Sequence, residues 1–505
     1  MEYDRSTTKD KWTIMMYMRD FNLMATYAYA LRASNNLSND NIDDILSKME
    51  ADGVYHPRNG GSTFTGTFKS IQIAWYMFGY YNKARKKGEE KKLVFSPLGN
   101  LLLDNLKDRD KVSRIFLTML YGNGFRQPFS QMDERFNIYG FRLIFKLLRD
   151  PRLGGKLYDD EVFYYAMFVK SICESEYEQL VSDILLSRKR TAAEKYNEFK
   201  KNERVVGLAC HEWRYAAGML QSAGILTIHE GHEVGDLKYG TVDKKTGRPT
   251  AVRKYNENHV VLRPELVSLV DRLLESYPYY EKPYPDDEVS HKFNSSLVVE
   301  MYSFYPPELL DELGMNTEED KAIAAMLQIA SDVNYYSREE TASGAKFEYA
   351  LTDAFNMFID VDAERIGGAG NADIECVYYM PDNKHKKFDI EAKSTTRKLA
   401  QINSRRLRTH RIKIGSKYTM IVTPNYSIGV LKDIEGEDSV VVKSATLANY
   451  LYQYVLKHGR NISYSMLDQI VEANIGGDIT DAVNAYVYTN FGHSANDLTV
   501  SAPRS

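Results

Sequence analysis

Residues 371–393, NADIECVYYMPDNKHKKFDIEAK, constrain the fold of this chain more than any other stretch. Every second residue is apolar from 374 to 378 and again from 388 to 392, and a polar, charged segment lies between the two runs. A period of two is typical of β-strands, so the stretch predicts a hairpin. In that hairpin Asp373 opens the first strand and Glu391 closes the second, so the two carboxylates meet at one end of the sheet.

The side chains at this end suit a metal ion and a phosphate. Mg²⁺ prefers oxygen ligands, and proteins commonly bind it through one or two carboxylates, leaving the other positions to water and substrate. Lys393 lies two residues after Glu391, so strand alternation puts both on one face, where an ammonium orients water or stabilises charge on phosphorus. Taken alone, this short pattern is more often a solvated strand face.

Three neighbouring features favour the functional interpretation. Upstream, residues 344–358 carry an apolar stripe at helical spacing, with Glu348 at its edge. The glycine-rich turn 367–371 permits positive φ angles immediately before the first strand. Downstream, the basic segment 397–413 leads to the apolar run 418–424. Helix, strands, helix and strand is the order of a nuclease core.

These segments resemble the PD-(D/E)XK endonuclease superfamily and, within it, Type IIS restriction and strand-nicking endonucleases of the AlwI and MlyI kind. FEYALTDAF (347–355) resembles their helix with an acidic residue, and AGNADIECVYY (369–379) resembles their AGNxPDxEIxY strand. FDIEAKST (388–395) resembles their strand that ends in a glutamate. The resemblance covers much of residues 93–430.

The resemblance implies particular site residues. Carried over by position, Glu348, Asp373 and Glu391 are the acids of the site. Ala372 stands where the relatives have a proline, which is not a ligand. Lys393 matches the superfamily's lysine, although some close relatives carry threonine there.

The implied reaction is hydrolysis of DNA phosphodiester bonds with Mg²⁺, for which Mn²⁺ substitutes. Asp373 and Glu391 hold the ion, assisted by the backbone carbonyl of Ala392, while Glu348 positions a second ion or an ordered water. One such site cuts one strand of double-stranded DNA. Cleavage of both strands then needs a homodimer or a smaller second nuclease subunit.

Composition places this chemistry in a multidomain globular protein. A chain of 505 residues predicts two to four domains, and 43% hydrophobic with 27% charged residues argues against disorder. No run approaches the about 18 apolar residues that span a membrane, and residues 1–30 lack the apolar segment of a signal peptide. Cys173, Cys210 and Cys376 have neither zinc-site nor disulfide spacing, which predicts a reducing cytoplasm.

The charge distribution is more informative than the formal net charge of −4. Basic residues concentrate in four segments, 83–92, 188–204, 238–254 and 397–413. A DNA-binding protein needs local positive surface rather than a positive total. Each cluster taken singly is more typically a solvated face.

The N-terminal half predicts DNA recognition. Residues 40–108 have the order of a winged helix with a basic tip, or equally of an ordinary α+β core. Residues 109–200 predict an entirely helical bundle. Residues 201–276 predict a second winged helix, in which a helix stopped by Gly224 is followed by a strand, a long basic loop, a second strand and a helix. The predicted DNA contacts come from these regions and from the basic segment 397–413. They are Lys86, Lys87, His211, Arg214, Lys244, Lys245, Arg248, Arg253, Lys254, Arg405, Arg408 and His410.

The predicted fold is therefore a mainly α-helical N-terminal half with winged-helix-like subdomains, followed by an α/β restriction-endonuclease-like domain with a mixed central sheet. We expect a recognition region at 1–285, a linker and helical spacer at 286–340, a nuclease domain at 341–490 and a flexible tail at 491–505. The predicted function is cleavage at a fixed offset from an asymmetric sequence. The alternatives are a non-catalytic DNA-binding regulator with a nuclease-like fold, or a repair or mobile-element nuclease of the same superfamily.

Overall fold

The computed structural model describes residues 3–18, 20–34, 37–55, 63–81, 93–129, 135–240, 251–284, 298, 301–315, 317–338, 345–367, 372–382 and 384–491. Of these, the residues up to Tyr284 form one unit and those from Val298 onward form a second. We refer to them as the N-terminal unit and the C-terminal unit. Within the described ranges, no helix is long and apolar enough to cross a membrane.

The N-terminal unit is mainly helical, as expected. Its α-helices are α1 (Phe21–Ser34), α2 (Asn39–Ala51), α3 (Thr63–Trp75), α4 (Pro97–Asp104), α5 (Arg109–Tyr121), α6 (Gly140–Arg149), α7 (Asp159–Tyr164), α8 (Glu174–Arg188), α9 (Ala192–Phe199), α10 (Glu203–Ser222) and α11 (Val267–Ser276). Short 3-10 helices lie at Pro151–Leu153, Ala166–Phe168, Lys200–Asn202 and Pro264–Leu266. Its strands are β1 (Gly79–Tyr80), β2 (Val94–Phe95), β3 (Lys156–Tyr158), β4 (Leu226–His229), β5 (Glu233–Lys238), β6 (Val252–Asn256) and β7 (His259–Leu262).

Two expectations for this unit are corrected. The segment 109–200 is not entirely helical, because β3 is a strand that pairs antiparallel with β7, which also pairs with β4. Three residues are too few for their periodicity to be read in a sequence. The predicted long loop also begins and ends in the antiparallel strands β5 and β6, and each buries a single large side chain, Leu237 or Tyr255. Residues 241–250 between them lie outside the described residues.

The helix boundaries follow local sequence signals. Helix α2 buries Ile42, Ile45 and Met49, the three positions at helical spacing in the sequence. Helix α10 ends at Ser222, and Gly224 after it has a φ of +76°, which favours glycine. The winged-helix interpretation of 40–108 and 201–276 remains a prediction.

The C-terminal unit contains a five-stranded sheet. Its helices are α12 (Pro307–Glu312), α13 (Glu318–Tyr336), α14 (Ala345–Phe355), α15 (Ser404–Ile414), α16 (Ile428–Ile434), α17 (Ser444–His458), α18 (Ser465–Ala473) and α19 (Thr480–Asn490). Its strands are β8 (Val361–Arg365), β9 (Ile374–Tyr379), β10 (His385–Ala392), β11 (Thr419–Thr423) and β12 (Ser439–Lys443). The predicted hairpin is therefore β9–β10, and the predicted order of helix, strands, helix and strand is confirmed. Of the predicted tail 491–505, Phe491 is buried in the large core, and residues 492–505 lie outside the described residues.

The sheet is mixed, as predicted, and β10 is its central strand. The strand order is β12-β11-β10-β9-β8, with parallel pairs on one side of β10 and antiparallel pairs on the other. Alternate residues of β10 face opposite sides: Phe388 and Ile390 belong to the large core, whereas a smaller apolar cluster on the other face includes Leu407 of α15 and Ile421 of β11.

Helix α13 differs from the predicted spacer. It packs against α14 and α17, and Leu327, Ala330 and Val333 are buried in the same core as the sheet. Burial of this apolar face makes α13 part of the C-terminal unit rather than a spacer. Most of residues 285–300 lie outside the described residues.

Candidate active site

The β9–β10 hairpin brings Asp373 and Glu391 to one end of the sheet. Ile374 and Ile390 form the last pair of the two antiparallel strands. Asp373, which precedes Ile374, therefore lies next to Glu391, which follows Ile390. The backbone N–H of Ala392 donates a hydrogen bond to Asp373 Oδ2 at 2.8 Å. The Glu391 side chain is 1% exposed, on the sheet face that α15 covers.

Three oxygen atoms converge on the Lys393 ammonium. Lys393 Nζ lies 2.5 Å from Glu391 Oε1 and 3.6 Å from Asp373 Oδ2, and it donates to the backbone carbonyl of Ala392 at 3.3 Å. These are the same oxygens that the sequence predicts as Mg²⁺ ligands. The side-chain ammonium therefore marks a place where this set of donors accommodates a cation.

The donors suit a hard ion that keeps water in its coordination shell. Within the described ranges, no group of three His, Cys, Asp or Glu side chains is placed to hold a metal ion. Two carboxylates with one backbone carbonyl leave several positions for water and phosphate, which is the usual arrangement for Mg²⁺. Burial and the neighbouring charge of Glu391 raise the pKa of the Asp373 carboxyl, and the Lys393 ammonium opposes that rise. A bound cation would further favour the ionised carboxylate.

Glu348 lies beside this pair but has a cation of its own. It is in the first turn of α14, and its Oε2 accepts a hydrogen bond from Arg365 Nε of β8 at 2.7 Å. Its negative charge also acts on Asp373. Gly367 follows β8 with a φ of +58°, so at this position the predicted glycine-rich turn does use the conformation that favours glycine.

Sequence reasoning missed Arg406. It lies in the first turn of α15, where its backbone N–H donates to the Asn403 side chain at 3.0 Å, and its guanidinium forms an ion pair with Glu391 Oε1. Helical spacing held a signal, because Arg406 and His410 are four residues apart and share one side of the helix. Only the packing of α15 over β10 reveals that this side faces Glu391.

Of the DNA contacts predicted in α15, one is buried and two are exposed. His410 is 4% exposed, burial lowers its pKa, and the charge of Glu391 acts in the opposite direction. It therefore faces the site rather than solvent. Arg405 and Arg408 are exposed, and Arg408 Nε donates to Glu437 at 3.0 Å.

In the N-terminal unit, Arg214 of α10 and Arg253 of β6 line a cavity of about 190 Å³ together with Asp159 and Glu230. Arg214 donates to the carbonyl of Lys254 at 3.2 Å. Burial and the charge of Arg214 lower the pKa of Arg253, and among the described residues its Nε has no hydrogen-bond partner. The two guanidinium groups repel each other, and the carboxyl groups of Asp159 and Glu230 line the same cavity, so the cavity carries charges of both signs.

The remaining predicted contacts are placed less favourably or lie outside the described residues. The His211 ring stacks on Tyr239 with centroids 4.5 Å apart. Lys254 is exposed and pairs with Glu233 at 2.7 Å. The predicted contacts outside the described residues are Lys86, Lys87, Lys244, Lys245 and Arg248.

Comparison with known proteins places this chain in a family. A family model described as Type II restriction endonuclease HgaI, N-terminal domain, matches residues 7–277. The Type II restriction enzyme HgaI of Avibacterium volantium is 38% identical over 490 residues, which cover 95% of this chain and 98% of that protein. The chain belongs to the HgaI family of Type II restriction endonucleases. Membership in the HgaI family confirms the predicted enzyme class, a site-specific restriction endonuclease.

The two HgaI matches differ in how much of the molecule they cover. The N-terminal family model ends within the N-terminal unit, whereas the HgaI alignment covers 95% of the chain and therefore includes residues of both units. Two solved structures of the restriction endonuclease FokI, one of them bound to DNA, align at 10% identity with TM-scores of 0.29 and 0.26. They cover 93% and 82% of this chain and 99% and 82% of the FokI chains. At these TM-scores the FokI alignments carry no structural argument for the HgaI family.

Proposed function

We propose that this chain hydrolyses DNA phosphodiester bonds at the site of Asp373, Glu391 and Lys393. The observation that carries the proposal is the convergence of three oxygens on Lys393 Nζ, at 2.5, 3.3 and 3.6 Å. The C-terminal unit is proposed to be a PD-(D/E)XK nuclease domain, since its mixed sheet presents both acids at the end of a central hairpin beside an acidic helix. A narrower kinship with enzymes of the AlwI and MlyI kind is part of the same proposal.

The residues of the site have separate roles in the proposed reaction. Asp373, Glu391 and the Ala392 carbonyl would hold Mg²⁺, or Mn²⁺ in its place, and the bound ion supplies a polarised phosphate and a more acidic water. Lys393 orients that water and stabilises the charge that grows on phosphorus. Glu348 orders a further water from the edge of α14. His410, buried behind Glu391, keeps water away from the carboxylate's inner side.

The N-terminal unit is proposed to select the DNA sequence, with winged-helix-like subdomains at 40–108 and 201–276. Arg214 and Arg253 are proposed to contact a DNA phosphate, because their guanidinium groups repel each other and Arg253 Nε has no hydrogen-bond partner among the described residues. Arg405 and Arg408 of α15 are exposed beside the candidate active site, which suits contacts with the strand to be cut. The proposed location is the cytoplasm, where all three cysteines remain free thiols.

The proposed enzyme is of the Type IIS kind, which cuts to one side of an asymmetric site. Among the described residues the proposed reaction uses one set of catalytic acids, so cleavage of both strands is proposed to require a second copy of the chain or a smaller nuclease subunit. Without that second site the enzyme nicks its substrate.

Mapping of cleavage positions on a long plasmid tests this function directly. We expect discrete fragments in Mg²⁺ and none in EDTA, with every cut at a constant distance from one asymmetric sequence. Scattered cuts would instead indicate a repair or mobile-element nuclease. DNA binding without any Mg²⁺-dependent cleavage would indicate a non-catalytic regulator.

Replacing Arg253 with alanine tests the proposed phosphate contact in the N-terminal unit. We expect weaker binding to specific and nonspecific DNA alike, because a phosphate contact carries no sequence information. The slope of log affinity against log salt should fall by about one. Fluorescence anisotropy in EDTA at several salt concentrations measures both quantities.

A matched control is Arg152→Ala, since the Arg152 guanidinium already bridges Asp150 and Glu178. This variant should keep the wild-type salt slope. An Arg253→Ala protein with the same slope as wild type would remove Arg253 from the interface.

A further inference from the structure

Glu391 Oε1 is shared by two cations. Lys393 Nζ lies 2.5 Å from it, and the Arg406 guanidinium pairs with the same atom from the opposite element, α15. The carboxylate is 1% exposed, whereas the Arg406 side chain is 49% exposed. One buried negative charge thus holds two positive charges, one of which reaches it from the surface. Asp373 also faces Lys393 Nζ, at 3.6 Å, so the two cations share two carboxylates. The half-exposed guanidinium of Arg406 lies where the proposed function places a phosphate.

The backbone of Arg406 is anchored, whereas its side chain is half exposed. Its N–H is fixed by the Asn403 cap at 3.0 Å, and the neighbouring Leu407 is buried in the small apolar cluster under α15. The N-terminus of α15 adds positive potential at the same place. The guanidinium can therefore change partners by rotation of its side chain, without movement of α15.

Arg365, the cation on Glu348, is held differently. Its guanidinium lies over the Tyr349 ring at 4.7 Å in addition to pairing with Glu348 at 2.7 Å. An aromatic face and a carboxylate together fix it in place. Arg365 is therefore fixed to its carboxylate, whereas Arg406 can separate from its own.

We propose that Arg406 is a catalytic residue that binds Glu391 in the free protein and the scissile DNA phosphate in the loaded enzyme. The inference rests on the proposed function, because it requires Glu391 to be taken over by a divalent cation. A carboxylate oxygen engaged by a divalent cation no longer needs two monovalent ones. The released guanidinium has a planar fork of donors that matches two phosphate oxygens.

This exchange makes Arg406 act in opposite directions on two measurable quantities. Without DNA it competes with the metal for Glu391 and weakens metal binding. With DNA it stabilises charge on the phosphate and accelerates cleavage. An ion pair that only stabilised the fold would not separate the two effects.

The test is Arg406→Ala in the full chain, with Arg406→Lys beside it. In Mn²⁺ titrations of the DNA-free protein followed by electron paramagnetic resonance, we expect the alanine variant to bind Mn²⁺ about fivefold more tightly, since a half-exposed ion pair has been removed. In single-turnover cleavage with saturating Mg²⁺ we expect it to be slower by about 10²- to 10³-fold, the usual effect of removing one donor to a developing oxyanion. Lysine should restore part of the rate.

Two further variants make the outcome decisive. Arg460→Ala removes an exposed arginine of the same unit, paired with Glu319 at 3.9 Å, and should leave both quantities unchanged. Glu391→Gln separates the two proposals: if it cleaves normally, the proposed function fails. If Glu391→Gln is inactive while Arg406→Ala matches wild type in Mn²⁺ affinity and in rate, only the role of Arg406 is overturned. Weaker Mn²⁺ binding by Arg406→Ala, accompanied by a lower melting temperature, would also overturn it and assign the residue to the fold.

Discussion

Replacement of Glu391 with glutamine, or of Asp373 with asparagine, is expected to abolish DNA cleavage. Each change keeps the shape of the side chain but removes one of the two negative charges that converge with the Ala392 carbonyl on a single cation position. Loss of a central catalytic group commonly slows an enzyme by about 10⁴-fold or more. Gel analysis of plasmid cleavage in Mg²⁺ measures the effect.

DNA binding by these variants should survive in EDTA, because neither carboxylate attracts a polyanion. Asp382→Asn is the matched control, since Asp382 lies in the turn at the other end of the same hairpin and pairs with Lys384 at 2.6 Å. It should cleave at the wild-type rate. Normal Mg²⁺-dependent cleavage by Glu391→Gln or Asp373→Asn would exclude this site as the nuclease centre.

Replacement of Glu212 with alanine is expected to destabilise the N-terminal unit by about 3–5 kcal/mol, the usual cost of leaving a buried charge without its partner. Glu212 lies on α10, and its Oε1 pairs with Lys11 Nζ at 2.6 Å, with side chains 6% and 1% exposed. Its Oε2 accepts from the Ile14 N–H at 3.0 Å. The pair anchors the helix that carries Arg214. On warming, the variant should therefore lose DNA binding at a lower temperature than the wild type. Thermal and urea unfolding measure the change.

The control for this effect is an exposed pair of the same kind. Lys201 and Glu198 lie 2.7 Å apart with side chains 68% and 32% exposed, so Lys201→Ala should change stability by less than about 1 kcal/mol. The double variant Lys11→Met with Glu212→Leu should recover much of the loss, because well-packed apolar residues can replace a buried ion pair. Equal unfolding curves for Glu212→Ala and wild type would contradict the anchoring role.

Local sequence was sufficient to predict an element where buried and exposed positions alternate regularly along it. The alternation at 374–378 and 388–392 predicted the hairpin because one face of β9 and β10 enters the large core and repeats every second residue. Helix α2 was predictable because its buried residues recur with the period of an α-helix. Strands β3, β5, β6 and β8 were not predicted, since they are short or bury few side chains, and their pairing partners supply the ordering that their own sequences lack.

The candidate site divides in the same way. Asp373, Glu391 and Lys393 were predicted from the sequence because they belong to one hairpin. Glu348 was predicted because it lies at the edge of an apolar helical stripe that resembles a helix of the family. Arg406 was missed, although Arg405 and Arg408 on either side of it were named. A basic helix offers several arginines at similar spacing, and nothing local identifies the one that faces the sheet.

By itself, the sequence determined the β9–β10 hairpin, the two acids at its end and the class of enzyme. Only the tertiary structure decided which cations those acids hold. Glu391 is shared by Lys393 and Arg406, and Glu348 is paired with Arg365. The physical reason is that strand alternation is set within a few residues, whereas the packing of α15 on β10 depends on apolar contacts between residues far apart in the chain.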